Sequence, residues 1–295
     1  MRVAAVVVRW RGGDEVDRCL RSLVEQSGRR LSRVVLVDSG SGDGGAERLT
    51  SAFPRIEVLA LPENRSFAHA ANAGVGRCPE ELILLLNPDT EVKDSAVDLL
   101  ADELENRPET AGVVPQLVDP DGSSQHRWQL RRLPTAPRLA LGLPGSPVFS
   151  APPATVSSVP QPAAAAWLVR RDVWRALDGF DERYAPAWWE DVDFCARLDR
   201  GLGEPEFPAE EGFLVAPAAQ VVHEGGSSVS ELSDRDFLAL YHRNLMLFSS
   251  RHHRSKNRII RHALKWSLRC RAVLRPKRRE SYLNAAETVA GSVGG

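Results

Sequence analysis

Residues 82–92 read LILLLNPDTEV. An unbroken apolar run of this length suits a central strand buried on both faces. It stops on Asn87-Pro88-Asp89, an amide, a ring and a carboxylate at the mouth of the strand. Similar runs come earlier at VAAVVV (3–8), RVVLVD (33–38) and IEVLAL (56–61). The segments between them carry helical spacing, as in EVDRCLRSLVEQ (15–26), whose apolar residues fall at 16, 19, 20, 23 and 24. Strand alternating with helix is the mark of an α/β fold with a parallel sheet.

In an open α/β sheet, ligands gather at the carboxyl ends of the strands. Asp38 closes the second strand and Asp89 lies just past the fourth, so two acids mark that edge. Each also suits a turn or a helix N-cap. The loop Ser39–Gly45 has half the look of a dinucleotide fingerprint, but that motif must follow the first strand. It also starts like a calcium loop, yet Leu49 stands where a bidentate Glu is required. Both readings fail.

A second acidic cluster sits in APAWWEDVDFCARL (185–198). Glu190, Asp191 and Asp193 follow two tryptophans and open a helix, where acids favour the dipole. Acids beside exposed aromatics also suit a sugar site: a carboxylate can take a hydroxyl proton, and indoles can stack on pyranose rings. His223 ends a further strand-like run, FLVAPAAQVV, and an imidazole can complete a divalent site with one carboxylate and phosphate oxygens.

The bulk composition sets limits. The chain has 295 residues, 43% hydrophobic and 26% charged, with a net charge of -1, so the whole molecule has no nucleic-acid signature. Four dispersed cysteines without a C-x-x-C pair fit a reducing compartment rather than a disulfide framework or a zinc ribbon. The N-terminal apolar run is too short for a secretion signal. No window approaches the ~18 apolar residues that span a bilayer. The expected location is cytoplasmic, with peripheral contact at the inner face of the cell membrane. Residues 131–162 hold eight of the twenty prolines and read as a mobile, irregular loop. From Arg251 to Arg279 there are twelve Lys or Arg and no acid. Ile259, Ile260, Ala263, Leu264, Trp266, Leu268 and Val273 can form an apolar stripe there, a pattern that suits either an anionic membrane surface or packing on the chain's own domain.

Taken in order, VVLVDSGSGDGG, ENRSFAHAANAGV, LILLLNPDTEV, AAWLVRRDVWRALDGFDERY, WWEDVDFCARL, VVHEGGSS and YHRNLMLF resemble the inverting family 2 glycosyltransferases of GT-A fold, in particular the bacterial rhamnosyltransferase-like group. The resemblance covers roughly residues 3–250. It implies a Rossmann-like, mostly parallel sheet flanked by helices. The implied GT-A domain is 1–250, with a nucleotide-sugar half (1–115), the Pro-rich loop and an acceptor and catalytic half (163–250). A basic helical tail (251–295) follows.

It further implies that Val8, Arg9 and Asp38 contact base and ribose. Asn64, Arg65 and Asn72 line the donor pocket, with Asn87 and Asp89 standing where the family carries its D-x-D motif. Asp89 and His223 hold Mg2+ or Mn2+ on the diphosphate, Asp191 is the general base, and Trp188, Trp189 and Glu190 meet the acceptor. The implied reaction moves a sugar from a nucleotide diphosphate donor, first dTDP-L-rhamnose, to a hydroxyl of a saccharide, a lipid-linked saccharide or a small natural product. A non-catalytic sugar-nucleotide-binding scaffold and a metal-dependent phosphohydrolase are the alternatives. Nucleic acid is not an expected partner. Three positions depart from the family pattern: Asn87 replaces an Asp, and Ser66 and Ala164 stand where Gly is common.

Overall fold

The computed structural model describes residues 1–26, 29–225 and 232–291. Its first part alternates as the apolar runs demand: β1 (Val3–Arg9), α1 (Asp14–Gln26), β2 (Leu31–Asp38), α2 (Gly45–Ala52), β3 (Glu57–Ala60), α3 (Phe67–Gly76) and β4 (Leu82–Leu86). Next come β5 (Thr90–Val92), α4 (Ala96–Asn106), β6 (Thr110–Val118), α5 (His126–Gln129), β7 (Leu130–Arg131), α6 (Ala136–Ala140), β8 (Ser157–Val159) and β9 (Gln161–Pro162). The last part holds β10 (Ala166–Arg170), α7 (Arg171–Ala176), α8 (Glu190–Gly201), β11 (Glu211–His223), α9 (Asp234–His252), α10 (Asn257–Leu274) and α11 (Arg279–Gly291).

Nine strands form the main sheet in the order β3-β2-β1-β4-β10-β6-β11-β5, with β8 also paired to β11. β1 to β4 run parallel, as do β6 and β11, while β10, β5 and β8 run against them. Successive side chains of a strand point to opposite faces, and both faces are covered here. Val3, Ala5 and Val7, with Leu82, Leu84 and Leu86, join a core beneath α1 and α4. Ala4, Val6 and Val8, with Ile83 and Leu85, join a second core beneath α3, α7 and α8. That explains why these strands are apolar without alternation. Close approach is enforced at Gly74: a Cβ there would lie 2.5 Å from Val6 Cγ1 and 2.7 Å from Val37 Cγ2.

The Pro-rich segment differs from the expected mobile loop. It carries α6 and three short strands, β8 pairs with β11, and Leu139 and Val159 are fully buried. Proline removes ladder donors but permits short edge strands. The basic region packs on the chain's own domain, one of the two readings its pattern left open. α9, α10 and α11 pack together on a third core with Leu139, Tyr184 and Trp189, and the boundary drawn at 250 falls inside α9. The expected apolar stripe of α10 divides in two: Ile260, Leu264 and Leu268 are buried, while Ile259, Trp266 and Val273 face outward. No helix among the described residues is long and apolar enough to cross a membrane.

Candidate active site

Parallel register brings three strand ends to one edge, since Arg9 pairs with Asp38 and Val7 with Leu86. Val8 is buried beneath this edge. The Arg9 side chain turns out to be internal, contrary to the expected contact with a nucleotide. Its guanidinium is 2% exposed and ion-paired to Asp38, with Nη2 donating to Asp43 Oδ2 at 2.6 Å and Nε to the Arg11 carbonyl at 3.0 Å. A Cβ on Gly45 would strike it at 2.5 Å, so a glycine roofs the cation. Arg9 holds the Asp43 carboxyl below its ordinary range. Asp38 also accepts from the Ser41 N–H at 2.8 Å. The Arg9 network therefore shapes the glycine loop from within.

The four polar residues singled out in ENRSFAHAAN diverge. Asn64 Oδ1 accepts from the Ser39 hydroxyl at 3.1 Å, at the end of β2. Arg65 is exposed, 3.5 Å from Glu182. Ser66 caps α3, its Oγ accepting from the His69 N–H at 3.0 Å, which gives a physical reason for serine at this position. Asn72 is a correction to the expected donor-pocket residue: its amide donates to the Phe180 carbonyl at 2.8 Å and accepts from the Phe180 N–H at 2.9 Å. Both ends of the side chain thus staple α3 to the turn after α7.

Asp89 and His223 lie side by side. β5 pairs with β11 so that His223 lies opposite Thr90, and the Glu224 N–H donates to the Asp89 carbonyl at 3.0 Å. His223 Nε2 stands 3.6 Å from Asp89 Oδ1, and both side chains are buried. Sequence gave no hint of Gln125. Its Oε1 lies 2.8 Å from His223 Nδ1, while its amide nitrogen donates to Asp119 Oδ1 at 2.6 Å and to the His223 carbonyl at 2.8 Å. The nitrogen's two acceptors leave Oε1 to receive the Nδ1–H. The Nε2 lone pair is then turned to Asp89. Trp128 stacks on the ring at 5.2 Å. Burial lowers the His223 pKa, against the opposing pull of Asp89 and Asp119, and so favours the neutral imidazole a metal needs. A carboxylate oxygen beside a tautomer-locked imidazole fits a divalent cation. VVHEGGSS continues through Gly226, Ser227 and Ser228, which lie outside the described residues.

Asp191 lies on the first turn of α8, half-buried. Its Oδ2 accepts from the Ala164 N–H and the Gln161 amide, each at 3.4 Å. The next residue, Ala165, takes the Asn87 N–H at 2.9 Å, so Asp191 and Asp89 are tied to one sheet edge through Ala164, Ala165 and Asn87. Burial raises the Asp191 pKa, and Arg131 opposes it. Glu190 is raised well above the ordinary range by burial and then by the Asp191 charge, and its Oε2 has no hydrogen-bond partner among the described residues. Burial thus disfavours the charge on both neighbouring acids, and more strongly on Glu190 than on Asp191.

Asp193 has a different task. Burial pushes its pKa up, but His252 and Arg197, each 2.7 Å away, outweigh it and hold the carboxyl below its ordinary range. It anchors α8 to α9.

The paired tryptophans are not both exposed. Trp189 is 3% exposed, packed on Tyr241 and Phe248, because α9 covers it. Trp188 is half-buried and edge-on to Phe237. Asn244, from YHRNLMLF, is fully buried and donates to the Ala187 and Trp188 carbonyls at 2.9 and 3.1 Å, fixing the turn that delivers Asp191. Arg131 and Gln161 carried no sequence signal as site residues, for each joins the site across tens of residues.

Comparisons with known proteins identify the family and the fold. Residues 5–173 match the model for glycosyl transferase family 2. The chain is 26% identical over 294 residues to an N-acetylglucosaminyl-diphospho-decaprenol L-rhamnosyltransferase of Mycobacterium tuberculosis, covering 92% of this chain and 90% of that one. Among solved structures, it resembles GalNAc-T7 crystallised with UDP, GalNAc and Mn2+ (TM-score 0.60, 15% identity), covering 83% of this chain and 47% of that one. It also resembles the mannosyltransferase PcManGT of Pyrobaculum calidifontis in complex with GDP-Man and Mn2+ (TM-score 0.57, 16% identity), covering 100% of this chain and 76% of that one. The nine-stranded sheet with its polar carboxyl edge is a GT-A fold, and the chain belongs to glycosyl transferase family 2.

Proposed function

We propose that this glycosyltransferase moves a sugar, L-rhamnose in the first instance, from a nucleoside diphosphate to a hydroxyl of a lipid-linked saccharide, with inversion at the anomeric carbon. The observation that carries the reading is the link from Asp191 through Ala164, Ala165 and Asn87 to Asp89, which sets a proton acceptor and a cation-binding pair on one edge. The rhamnosyl donor and the lipid-linked acceptor are suggested by the mycobacterial relative, whose name carries both a rhamnosyl and a decaprenol group.

In this reading Asp191 takes the acceptor's hydroxyl proton as that oxygen bonds to the anomeric carbon. The bond from that carbon to the diphosphate oxygen breaks, and the nucleoside diphosphate leaves. Ala164 and Gln161 hold the carboxylate, and burial disfavours a competing charge on Glu190. Asp89 and His223 would hold Mn2+ or Mg2+, whose charge would offset that gathering on the leaving diphosphate. Asn87, neutral, would face ribose or water without adding repulsion. Val8, Asp38, Asn64 and Arg65 would border the donor on the half formed by 1–115, and Trp188 the acceptor on the half formed by 163–250.

A thermal-shift screen of nucleotide sugars with Mn2+ and Mg2+ tests the reading, since a ligand of the native state raises stability by mass action. A metal-dependent rise with dTDP-L-rhamnose above GDP-mannose and UDP-hexoses is expected. No rise with any nucleotide sugar would remove it.

A further inference from the structure

α10 is a two-faced helix whose outer face is covered by nothing among the described residues. Its inner face, Ile260, Leu264, Leu268 and Ala272, steps by four and is buried. Its outer face is set by Ile259, Trp266 and Val273, seven residues apart. Seven residues return to nearly the same side of a helix, drifting only ~20°. These three side chains therefore form one line, 71%, 64% and 79% exposed. Such large apolar residues rarely line up in water without purpose.

The chemistry beside the line identifies what would cover it. Arg258, Lys265 and Arg269 flank one side, and the Arg269 guanidinium lies over the Trp266 ring, 5.8 Å from its centre. The helix contains no acidic residue. Next to it is a groove of about 460 Å3 lined by Arg254, Arg258, Arg261, His262 and Lys265. A second copy of this chain would bring the same unneutralised cations against themselves. A duplex would meet the cations but leave three apolar side chains without a partner. An anionic bilayer surface satisfies both: acyl chains for the line, phosphates for the cations. Tryptophan suits that boundary, with an apolar body and a polar N–H.

We propose that the outer face of α10 docks on an anionic lipid surface, with Ile259, Trp266 and Val273 entering the headgroup region and the flanking cations meeting lipid phosphates. The helix lies in the plane of the surface rather than crossing it. The inference stands apart from the sugar-transfer reading, and its test needs no donor or acceptor.

The full chain would be floated with phosphatidylcholine vesicles, with and without phosphatidylglycerol. Three proteins are compared: the unaltered chain, the triple variant Ile259→Ser/Trp266→Ser/Val273→Ser, and the triple variant Arg258→Gln/Lys265→Gln/Arg269→Gln. All six positions lie on the outer face or its flank, and circular dichroism checks that the fold persists. Cys270 gives a second readout, as the three other cysteines are buried and it alone is exposed. A nitroxide there reports depth through oxygen collision. The expected result is binding that requires phosphatidylglycerol, falls about ten-fold or more in each variant, and moves the Cys270 probe out of water. Equal binding by all three proteins overturns the proposal, as does a probe that stays in water. Self-association or duplex binding abolished by the serine variant, without vesicle binding, would assign the face to those partners and overturn it too.

Discussion

Gln125 accepts the Nδ1–H of His223 at 2.8 Å because its own amide nitrogen is already engaged by Asp119 and by the His223 carbonyl. The relationship spans 98 residues of chain and decides which ring nitrogen faces Asp89. It fixes the tautomer of a histidine at a strand end.

Gln125→Leu should therefore weaken Mn2+ binding about 10–100-fold, the usual cost of losing the partner that orients a ligating imidazole. Gln125→Glu, which keeps an acceptor at Nδ1, should lose less. Titration of Mn2+ by electron paramagnetic resonance gives the affinities, and 15N NMR of His223 in metal-free protein gives the tautomer. A His223 tautomer unchanged in the Leu variant would contradict the role given to Gln125.

Asn72 serves the fold. Asn72→Ala would strand the Phe180 N–H and carbonyl, at a cost of about 1–3 kcal/mol seen in urea unfolding. Donor affinity of the folded variant should stay near that of the parent. A large loss of affinity with unaltered stability would return Asn72 to the donor pocket.

The two polar residues past β4 divide their work. Asn87→Asp should be tolerated better than Asp89→Asn, since only Asp89 faces His223. Metal-dependent donor binding, measured calorimetrically for both, should fall much further for Asp89→Asn. The reverse order would mean that Asn87 sits nearer the cation.

pH dependence follows from Asp191. A general base acts deprotonated, so transfer should fail as pH drops through its pKa. Burial raises that pKa, which places the acid limb of kcat/KM above the ordinary carboxylate range. Arg131 opposes the rise, so Arg131→Gln should move the limb further up. A limb that shifts down in that variant would show that Arg131 does not act on the base.

Much of this was legible in the residues alone. β1 and β4 announce themselves because both sheet faces are buried, leaving no polar position to interrupt the runs. The meeting of Asp89 with His223 was legible from strand ends and the family resemblance. What failed shares one cause: side-chain direction is set by distant neighbours. Arg9 turns inward because Asp38 and Asp43 are there to neutralise it, and Trp189 is covered because α9 folds over it. The α10 stripe could not be divided until α9 and α11 showed which side they cover. Gln125 lies in no motif, and only the pairing of β6 with β11, which sets Val118 opposite Val222, reveals what it touches.

The central claim is that Asp191 is the base that activates the acceptor. It is tested most directly by transfer kinetics of Asp191→Asn beside donor binding by the same protein. Transfer should fall about 10²–10⁴-fold while the donor still binds with near-parental affinity. Near-parental turnover in Asp191→Asn would contradict the account.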